Sequence, residues 1–264
     1  MAKVDIQSAF RIIPVHPDDW NKLCFSLHGR YFVDTRLSFG SRSSPFIFNT
    51  FAQFLAWFLS AIIGISLIIH YLDDFFIAAP EYRHCKIDMD KMLAACSYLG
   101  VPVNNKKVFG PSSILTYLGI ELDSNLMICR LPVEKLSEIK LLIKTWLSKK
   151  SCKKRELLSL IGKLSFASKV VKPGRIFLRR MINLSTTVNH LDHYIHINKE
   201  AREDLRWWHE FLSEWNGISM IPEDREGQKV YLFTDASNLG LGGYLGSSWF
   251  SLPGPTLIRK FISM

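Results

Sequence analysis

The hydrophobic positions of this 264-residue chain follow two patterns, one before and one after about residue 130. After Pro132, apolar residues recur at helical spacing, with lysines and arginines on the opposite side of each predicted helix. Before it, short apolar runs alternate with turns and predict strands; these runs are residues 23–27, 31–33, 66–71, 108–109, 115–118 and 120–122. A helix over residues 82–99 lies among them and ends at Gly100. The fold class predicted from this pattern is α+β.

One uncharged stretch resembles a membrane span in length. Residues 43–72 contain no Asp, Glu, Lys or Arg. Polar residues at positions 49, 50 and 53 interrupt its first half, and Gly64 and Ser66 divide the rest. We therefore predict a buried helix over about 45–60 and a buried strand over about 66–71, without membrane contact. A membrane-spanning helix is the alternative.

Positive charge is concentrated in one part of the chain. The whole sequence carries a net charge of +9, but residues 130–180 hold 15 Lys and Arg against 3 Glu, a local net of +12. This segment predicts contacts with nucleic-acid phosphates that do not depend on base sequence; the basic residues we assign to those contacts are Lys149, Lys150, Lys153, Lys154 and Arg155.

The five cysteines are odd in number and show no CxxC spacing. This argues against a disulfide framework or a zinc site and favours an intracellular location. The sequence does not distinguish cytoplasm from nucleus.

Two adjacent acids, Asp73 and Asp74, lie between apolar runs and predict the tip of a hairpin. Burying both would cost several kcal/mol unless a cation neutralised them, and a divalent metal is the usual solution. Asp5 ends another predicted strand, and three converging carboxylates suit the two Mg²⁺ ions of phosphoryl transfer. The alternative is a solvated Asp-Asp turn, and the residues by themselves do not separate nucleic-acid synthesis from other metal-dependent phosphoryl transfer.

Five motifs in order resemble those of reverse transcriptases. Tyr71-Leu72-Asp73-Asp74 is similar to their Tyr-x-Asp-Asp box, and residues 5–10 are similar to their first palm motif. Residues 37–48 resemble the second motif in the Phe-Gly form of gypsy-like and DIRS-like retrotransposons of the LTR type. Residues 100–107 resemble the fourth motif, and residues 117–119 resemble the primer grip. The resemblance continues through the basic helices to Leu-Arg-Trp-Trp at 205–208, which is most similar to the DIRS-like group.

The resemblance implies roles for single residues. Asp5 and Asp73 would bind Mg²⁺ or Mn²⁺ with support from Asp74, and Lys107 would protonate the leaving pyrophosphate. Phe10 would be the steric gate against a ribose 2′-hydroxyl, although Phe10 and Phe39 also fit an ordinary core and Lys107 a solvated surface position. The remaining implied substrate-binding residues are Phe39, Gly40 and Tyr71, and the implied primer grip is Tyr117, Leu118 and Gly119.

The implied organisation has four parts: a palm with a remnant of the fingers (1–125), a basic helical thumb (126–190), a helical connection (191–228) and an incomplete ribonuclease H segment (229–264). Asp235 would be a metal ligand in the last part. No Asp or Glu occurs from residue 236 to 264, so we expect ribonuclease H activity to be absent.

The implied activity is RNA-directed DNA polymerisation, with Mg²⁺ or Mn²⁺ as cofactor. The implied partners are an RNA or DNA template–primer, deoxynucleoside triphosphates and other retroelement proteins. Asp5 stands four residues after Met1, so we expect most of the fingers to be missing. The alternative is therefore a catalytically inactive retroelement remnant that only binds nucleic acid, and enzymatic activity of this chain stays open.

Overall fold

The computed structural model describes residues 1–216, 219–220, 231–237 and 240–253, and it divides into two units, Met1–Ile221 and Pro222–Met264. The described α-helices are α1 (Ser44–Trp57), α2 (Tyr82–Tyr98), α3 (Val133–Ser148), α4 (Lys154–Ala167), α5 (Arg179–Ser185) and α6 (Lys199–Glu214). The strands of the first unit are β1 (Ala2–Asp5), β2 (Cys24–Leu27), β3 (Arg30–Val33), β4 (Ile68–Tyr71), β5 (Asp74–Ile77), β6 (Ile114–Tyr117), β7 (Ile120–Asp123), β8 (Ile128–Arg130), β9 (Ser151–Lys153), β10 (Tyr194–His196) and β11 (Ser219–Met220). Those of the second are β12 (Phe233–Ala236), β13 (Gly240–Leu245) and β14 (Ser248–Pro253).

A three-stranded antiparallel sheet in the order β1-β5-β4 organises the N-terminal part of the first unit. The central strand β5 is buried at Phe75, Phe76 and Ile77, which explains its continuous apolar run. Helices α1 and α2 both contact this sheet and share its core, which includes Phe48, Leu55, Phe75, Ile77 and Met92. The strand predicted at residues 108–109 is not formed; Phe109 makes only an isolated β-bridge with Lys3.

Helix α1 is less buried than we predicted. It continues as a π-helical segment, Phe58–Ile62, and its inner face at Phe48 and Leu55 is buried. Its outer face exposes Phe54 and Trp57, so the prediction of a buried helix is wrong for half of its surface. Ser44–Ile62 has the length and composition of a membrane span, a property that core helices of soluble proteins share. The absence of membrane contact stays a prediction.

A second antiparallel sheet follows in the order β11-β8-β7-β6. Strands β6 and β7 are joined by the two-residue turn Leu118-Gly119, in which both residues have positive φ, 45° and 77°. Two positive φ angles match the right-handed twist of a tight hairpin, and glycine is favoured in such turns because it has no Cβ.

Helices α3 to α6 pack around one apolar core, as their periodicity predicts. Ile143 of α3, Leu160 and Leu164 of α4, and Trp208 of α6 are almost completely buried. Gly174 allows close approach here, because a Cβ at that position would lie 2.3 Å from the Trp208 ring. The short strands β9 and β10 pair antiparallel with each other.

Two smaller pieces complete the described residues. The hairpin of β2 and β3 exposes all eight of its side chains. In the second unit, β12, β13 and β14 form an antiparallel sheet in that order. The predicted four-part organisation places one of its boundaries, between residues 228 and 229, outside the described residues, and the organisation stays a prediction.

Candidate active site

The predicted carboxylates meet at one end of the N-terminal sheet. Strands β1 and β5 pair so that Asp5 lies directly opposite Asp74, and Leu72-Asp73 forms the turn between β4 and β5. The amide of Ile6 donates to the carbonyl of Asp73 over 2.9 Å, which ties the turn to the end of β1. Leu72 has a positive φ of 52°, a left-handed conformation that residues with a side chain rarely adopt. The structure therefore brings Asp5, Asp73 and Asp74 together.

Lys107 forms an ion pair inside this acidic cluster. Its Nζ lies 2.9 Å from Oδ2 of Asp5, whose side chain is buried. The loop that carries Lys107 is fixed to β1, because the amide of Asn104 donates to the Asp5 carbonyl over 2.9 Å. The hydrogen bond to Asp5, followed by its negative charge, raises the pKa of Lys107. Lys107 is thus a cation placed among acids rather than a lysine solvated away from them.

The acids influence one another electrostatically. The pKa of Asp74 is raised first by burial and then by the like charges of Asp73 and Asp5, while Lys107 and Lys3 oppose the shift. An all-oxygen donor set is what Mg²⁺ and Mn²⁺ prefer. Yet no three His, Cys, Asp or Glu side chains among the described residues are already arranged to hold a metal. The three carboxylates are suitable ligands for a divalent cation. In this structure, however, Oδ2 of Asp5 forms an ion pair with Lys107.

The aromatic side chains predicted to select the substrate pack against one another. The ring of Phe10 lies 5.0 Å from that of Phe39 and 5.6 Å from that of Phe48, a core residue. Phe39 is 68% exposed, and Gly40 beside it is also exposed with a φ of 86°. Phe10 therefore lies between the core and an open surface, which agrees both with a core residue and with a steric gate. Phe39 is too exposed to be an ordinary core residue.

The β6–β7 hairpin rests against the β4–β5 hairpin that carries the acids. The hydroxyl of Tyr117 donates to the carbonyl of Asp74 over 3.0 Å, and its ring packs against Phe76 at 5.1 Å. Lys3 donates from Nζ to the carbonyl of Thr116 over 2.9 Å. Burial, and then the negative charge of Asp74, raise the pKa of Tyr117 to about 12, so the phenol stays protonated and can donate.

The other side of the β6–β7 hairpin contacts the helices. Lys135 of α3 donates to the carbonyl of Gly119 over 3.4 Å and lies over the ring of Phe166 of α4 at 4.2 Å. Sequence reasoning missed Lys3, Lys135 and Phe166. Lys3 had a usable signal, because it stands two residues before Asp5 and so faces the same side of the strand. The other two carry no local signal.

The predicted nucleic-acid-binding residues are mostly engaged within the protein. Lys149 pairs with Glu156 at 3.2 Å, and Lys154 donates to the Val188 carbonyl over 2.7 Å. Lys153 and Arg155 both pair with Asp192, at 3.5 and 2.5 Å. Of the five, only Lys150 lacks a side-chain partner in the part of the chain that the structure describes.

A second basic segment contains no acidic residue of its own. The sequence has no Asp or Glu from residue 157 to 191. Two of the basic residues in this stretch pair with acids elsewhere, Lys163 with Glu138 and Arg180 with Asp204. Four others are exposed and have no ion-pair partner among the described residues; they are Lys169, Lys172, Arg175 and Arg179.

Asp235 lies in the second unit, on β12 and opposite Gly242 of β13. Its side chain is exposed and accepts a hydrogen bond from the amide of Ala236 over 2.9 Å. Residues 231–237 and 240–253 contain no other Asp or Glu. The expected absence of ribonuclease H activity stays a prediction.

Comparison with known proteins finds similarity in the N-terminal part of the chain. Residues 1–122 match the family described as reverse transcriptase (RNA-dependent DNA polymerase). The Gag-Pol polyprotein of woolly monkey sarcoma virus is 32% identical over 123 residues, which cover 44% of this chain and 7% of the polyprotein. Protein P of duck hepatitis B virus is 25% identical over 142 residues, which cover 53% of this chain and 17% of protein P. The chain thus spans less than a fifth of the length of these relatives.

Solved structures show the same fold over most of the chain. A foamy viral protease-reverse transcriptase in complex with double-stranded DNA aligns with a TM-score of 0.68 at 20% identity, covering 97% of this chain and 43% of that one. The foamy viral enzyme in complex with an RNA/DNA hybrid aligns with a TM-score of 0.66, covering 33% of that chain. The predicted α+β fold class is confirmed, and residues 1–122 are similar to reverse transcriptase domains of the retroviral or retroelement type.

Proposed function

We propose that this chain is the polymerase part of a retroelement reverse transcriptase, which adds deoxynucleotides to a primer 3′-hydroxyl under the direction of an RNA or DNA template. The observation that carries the proposal is the meeting of Asp5, Asp73 and Asp74 at one end of a sheet within the matched residues 1–122. The Phe-Gly form of the second motif and the Leu-Arg-Trp-Trp sequence at 205–208 favour a DIRS-like or gypsy-like element, whose other proteins are further candidate partners.

The three carboxylates supply the oxygen ligands for Mg²⁺ or Mn²⁺. When bound, such ions activate the primer hydroxyl and neutralise the leaving pyrophosphate. Asp5 and Asp73 are the principal ligands in this proposal, and Asp74 supports them. Lys107 is tethered by its backbone next to Asp5, but its side chain is 61% exposed. Its ammonium group can therefore turn from Asp5 to a phosphate oxygen at the mouth of the site and donate a proton there.

Substrate selection is assigned to the aromatic residues beside the acids. Phe10 is held by Phe48 behind it and Phe39 beside it, so its ring has little freedom to move away from a ribose 2′-hydroxyl. A fixed ring at that position favours deoxynucleoside triphosphates by steric exclusion. Phe39 and Gly40 are exposed where an incoming base and the template would pack, and the exposed Tyr71 adjoins the metal ligands on β4.

Template–primer binding is assigned to the helical part and to the turn Tyr117-Leu118-Gly119. The four exposed cations between residues 169 and 179 are available for phosphates without breaking an internal ion pair. Of the five residues assigned between 149 and 155, three form ion pairs and Lys154 donates to a main-chain carbonyl. The solved foamy viral enzymes hold double-stranded DNA or an RNA/DNA hybrid, which supports the same class of ligand for this chain.

The test is primer extension on an RNA template with purified chain in Mg²⁺ or Mn²⁺, beside Asp73→Asn. Asp90→Asn is the matched control, because Asp90 is an exposed carboxylate on α2 whose ion-pair partner among the described residues is Lys86. We expect extension by the parent and by Asp90→Asn, and a loss of at least a hundredfold in Asp73→Asn. A folded parent that binds template–primer without extending it would refute polymerase activity for this chain.

A further inference from the structure

The tip of the β4–β5 hairpin has support on only one side within its own sheet. Strand β4 is an edge strand, so the Tyr71–Asp74 pair that closes the hairpin is bounded by β1 on the β5 side alone. The turn contains Leu72 at a positive φ, and it places Asp73 beside Asp74, two like charges. Strain and charge repulsion both favour opening of this tip.

Tyr117 supplies a contact from outside the sheet. Its hydroxyl donates to the main-chain carbonyl of Asp74, the residue that follows the turn, over 3.0 Å. The backbone of Tyr71, the other member of the closing pair, partly offsets the raised pKa of the Tyr117 phenol. The ring is fixed in turn by its packing against Phe76.

The position of Tyr117 is set by contacts on both sides of its hairpin. Lys3 holds the Thr116 carbonyl from the strand that carries Asp5. On the opposite side, Lys135 holds the Gly119 carbonyl, and a Cβ at Gly119 would lie only 3.1 Å from the Phe166 ring. The β6–β7 hairpin is therefore clamped between the N-terminal sheet and helices α3 and α4.

We propose that Tyr117 is a positioning residue for polymerisation, which fixes the main chain at Asp74 and thereby sets where the tip presents Asp73. This role rests on the proposed function and is separate from any contact that the same turn makes with a primer. It acts through the backbone of Asp74, so it affects the chemical step rather than the binding of template–primer.

The test compares Tyr117→Phe with the parent in two measurements. Phenylalanine keeps the ring against Phe76 and removes only the hydroxyl. The first measurement is amide hydrogen exchange of peptides covering residues 68–77, which we expect to become roughly two- to tenfold faster, the range that loss of one neutral hydrogen bond corresponds to. The second is steady-state primer extension, where we expect kcat to fall by a similar factor with unchanged KM for template–primer. The control is Tyr98→Phe, because Tyr98 is 88% exposed.

The two measurements separate the possible failures. Exchange and kcat that both match the parent would overturn the proposal, as would a raised KM with unchanged kcat, which would place Tyr117 on the primer alone. Faster exchange across the whole first unit would show a general structural role and would also overturn it. If the parent extends no primer, the proposed function fails and the role in polymerisation fails with it, while exchange that rises only within residues 68–77 still supports the fixing of the Asp74 main chain by Tyr117.

Discussion

Substitution of Gly119 by alanine measures how tightly the β6–β7 turn is clamped. Gly119 has a φ of 77°, and a Cβ built there would lie 2.3 Å from Nζ of Lys135 and 3.1 Å from the Phe166 ring. The added methyl group therefore meets both a backbone penalty and a crowded surface. We expect a loss of stability larger than either effect produces alone.

The magnitude follows from two terms. A left-handed conformation costs a residue with a Cβ roughly 1–2 kcal/mol. The Lys135 side chain is flexible and can move, but it then loses its contact with the Phe166 ring, worth about 0.5–1 kcal/mol at an exposed site. Its hydrogen bond to Gly119 is long at 3.4 Å and contributes less. The free energy of unfolding should fall by about 1.5–3 kcal/mol.

Two other glycines separate the terms. Gly100 ends helix α2 with a φ of 69° and has no heavy atom within 4 Å of the position that a Cβ would occupy, so Gly100→Ala should show the backbone penalty alone. Gly162 lies in the middle of α4 with equally open space, and alanine is the better helix former by roughly 0.5–1 kcal/mol. Gly162→Ala should therefore stabilise the protein.

The assay is urea unfolding at 25 °C with the slope compared between variants, because an unchanged slope assigns a midpoint shift to stability. The expected order of stability is Gly162→Ala, parent, Gly100→Ala and then Gly119→Ala. Equal losses for Gly100→Ala and Gly119→Ala would show that contact with Lys135 and Phe166 has no energetic weight. That result would also remove the clamp from which the role of Tyr117 was inferred.

Two further predictions concern charge. Burial raises the pKa of Asp204 to about 6, against the opposing charge of Arg180. The folded state therefore favours the protonated carboxyl group. The stability that protonation of Asp204 contributes is lost as pH rises from about 4 through 6. At 1.36 kcal/mol per pKa unit, the free energy of unfolding falls by about 3 kcal/mol over this range. The stability of Asp204→Asn relative to the parent should therefore grow by about 2–3 kcal/mol between pH 4 and pH 7. A difference between the two urea midpoints that stays constant with pH would contradict this prediction. Charge reversal at the exposed basic residues 169, 172, 175 and 179 should weaken template–primer binding and flatten its salt dependence. The effect should be larger than that of charge reversal at residues 149, 150, 153, 154 and 155, measured by fluorescence anisotropy between 50 and 200 mM salt. A larger effect at residues 149–155 would place the interface there instead.

Sequence periodicity predicted the elements well where one physical requirement dominated. The apolar run at 75–77 is continuous because β5 is the central strand, and the spacing of Ile139, Ile143 and Trp146 reflects one buried face of α3. It failed at α1 and at the edge strand β4, where apolar composition was equated with burial; Ile69 and Tyr71 of β4 are exposed. Composition cannot distinguish the inner face with Phe48 from the outer face with Trp57, because both are apolar.

For a related reason, charge density alone does not show which cations are available to a nucleic acid. The cluster at 149–155 is dense in sequence, but its partners Glu156 and Asp192 are brought to it by the fold. Asp192 lies 37 positions after Arg155, so no local pattern could reveal that pair. The segment after residue 169 is sparser in charge and yet more available, because the fold brings no acid to its exposed cations within the described residues.

The acidic cluster shows why the residues of a site are easier to predict from sequence than the contacts that hold them in place. Asp5, Asp73 and Asp74 can be chosen from sequence because acids at the ends of apolar strands are costly to bury unless they bind a cation. What holds them in place is a set of contacts from distant segments, with Lys107 102 positions from Asp5 and Tyr117 43 positions from Asp74. One of these contacts balances charge at Asp5, and the other fixes the backbone at Asp74. A chain that kept the three acids but lost either contact would still match the motif, while its carboxylates would be held less firmly for the reaction that the motif implies.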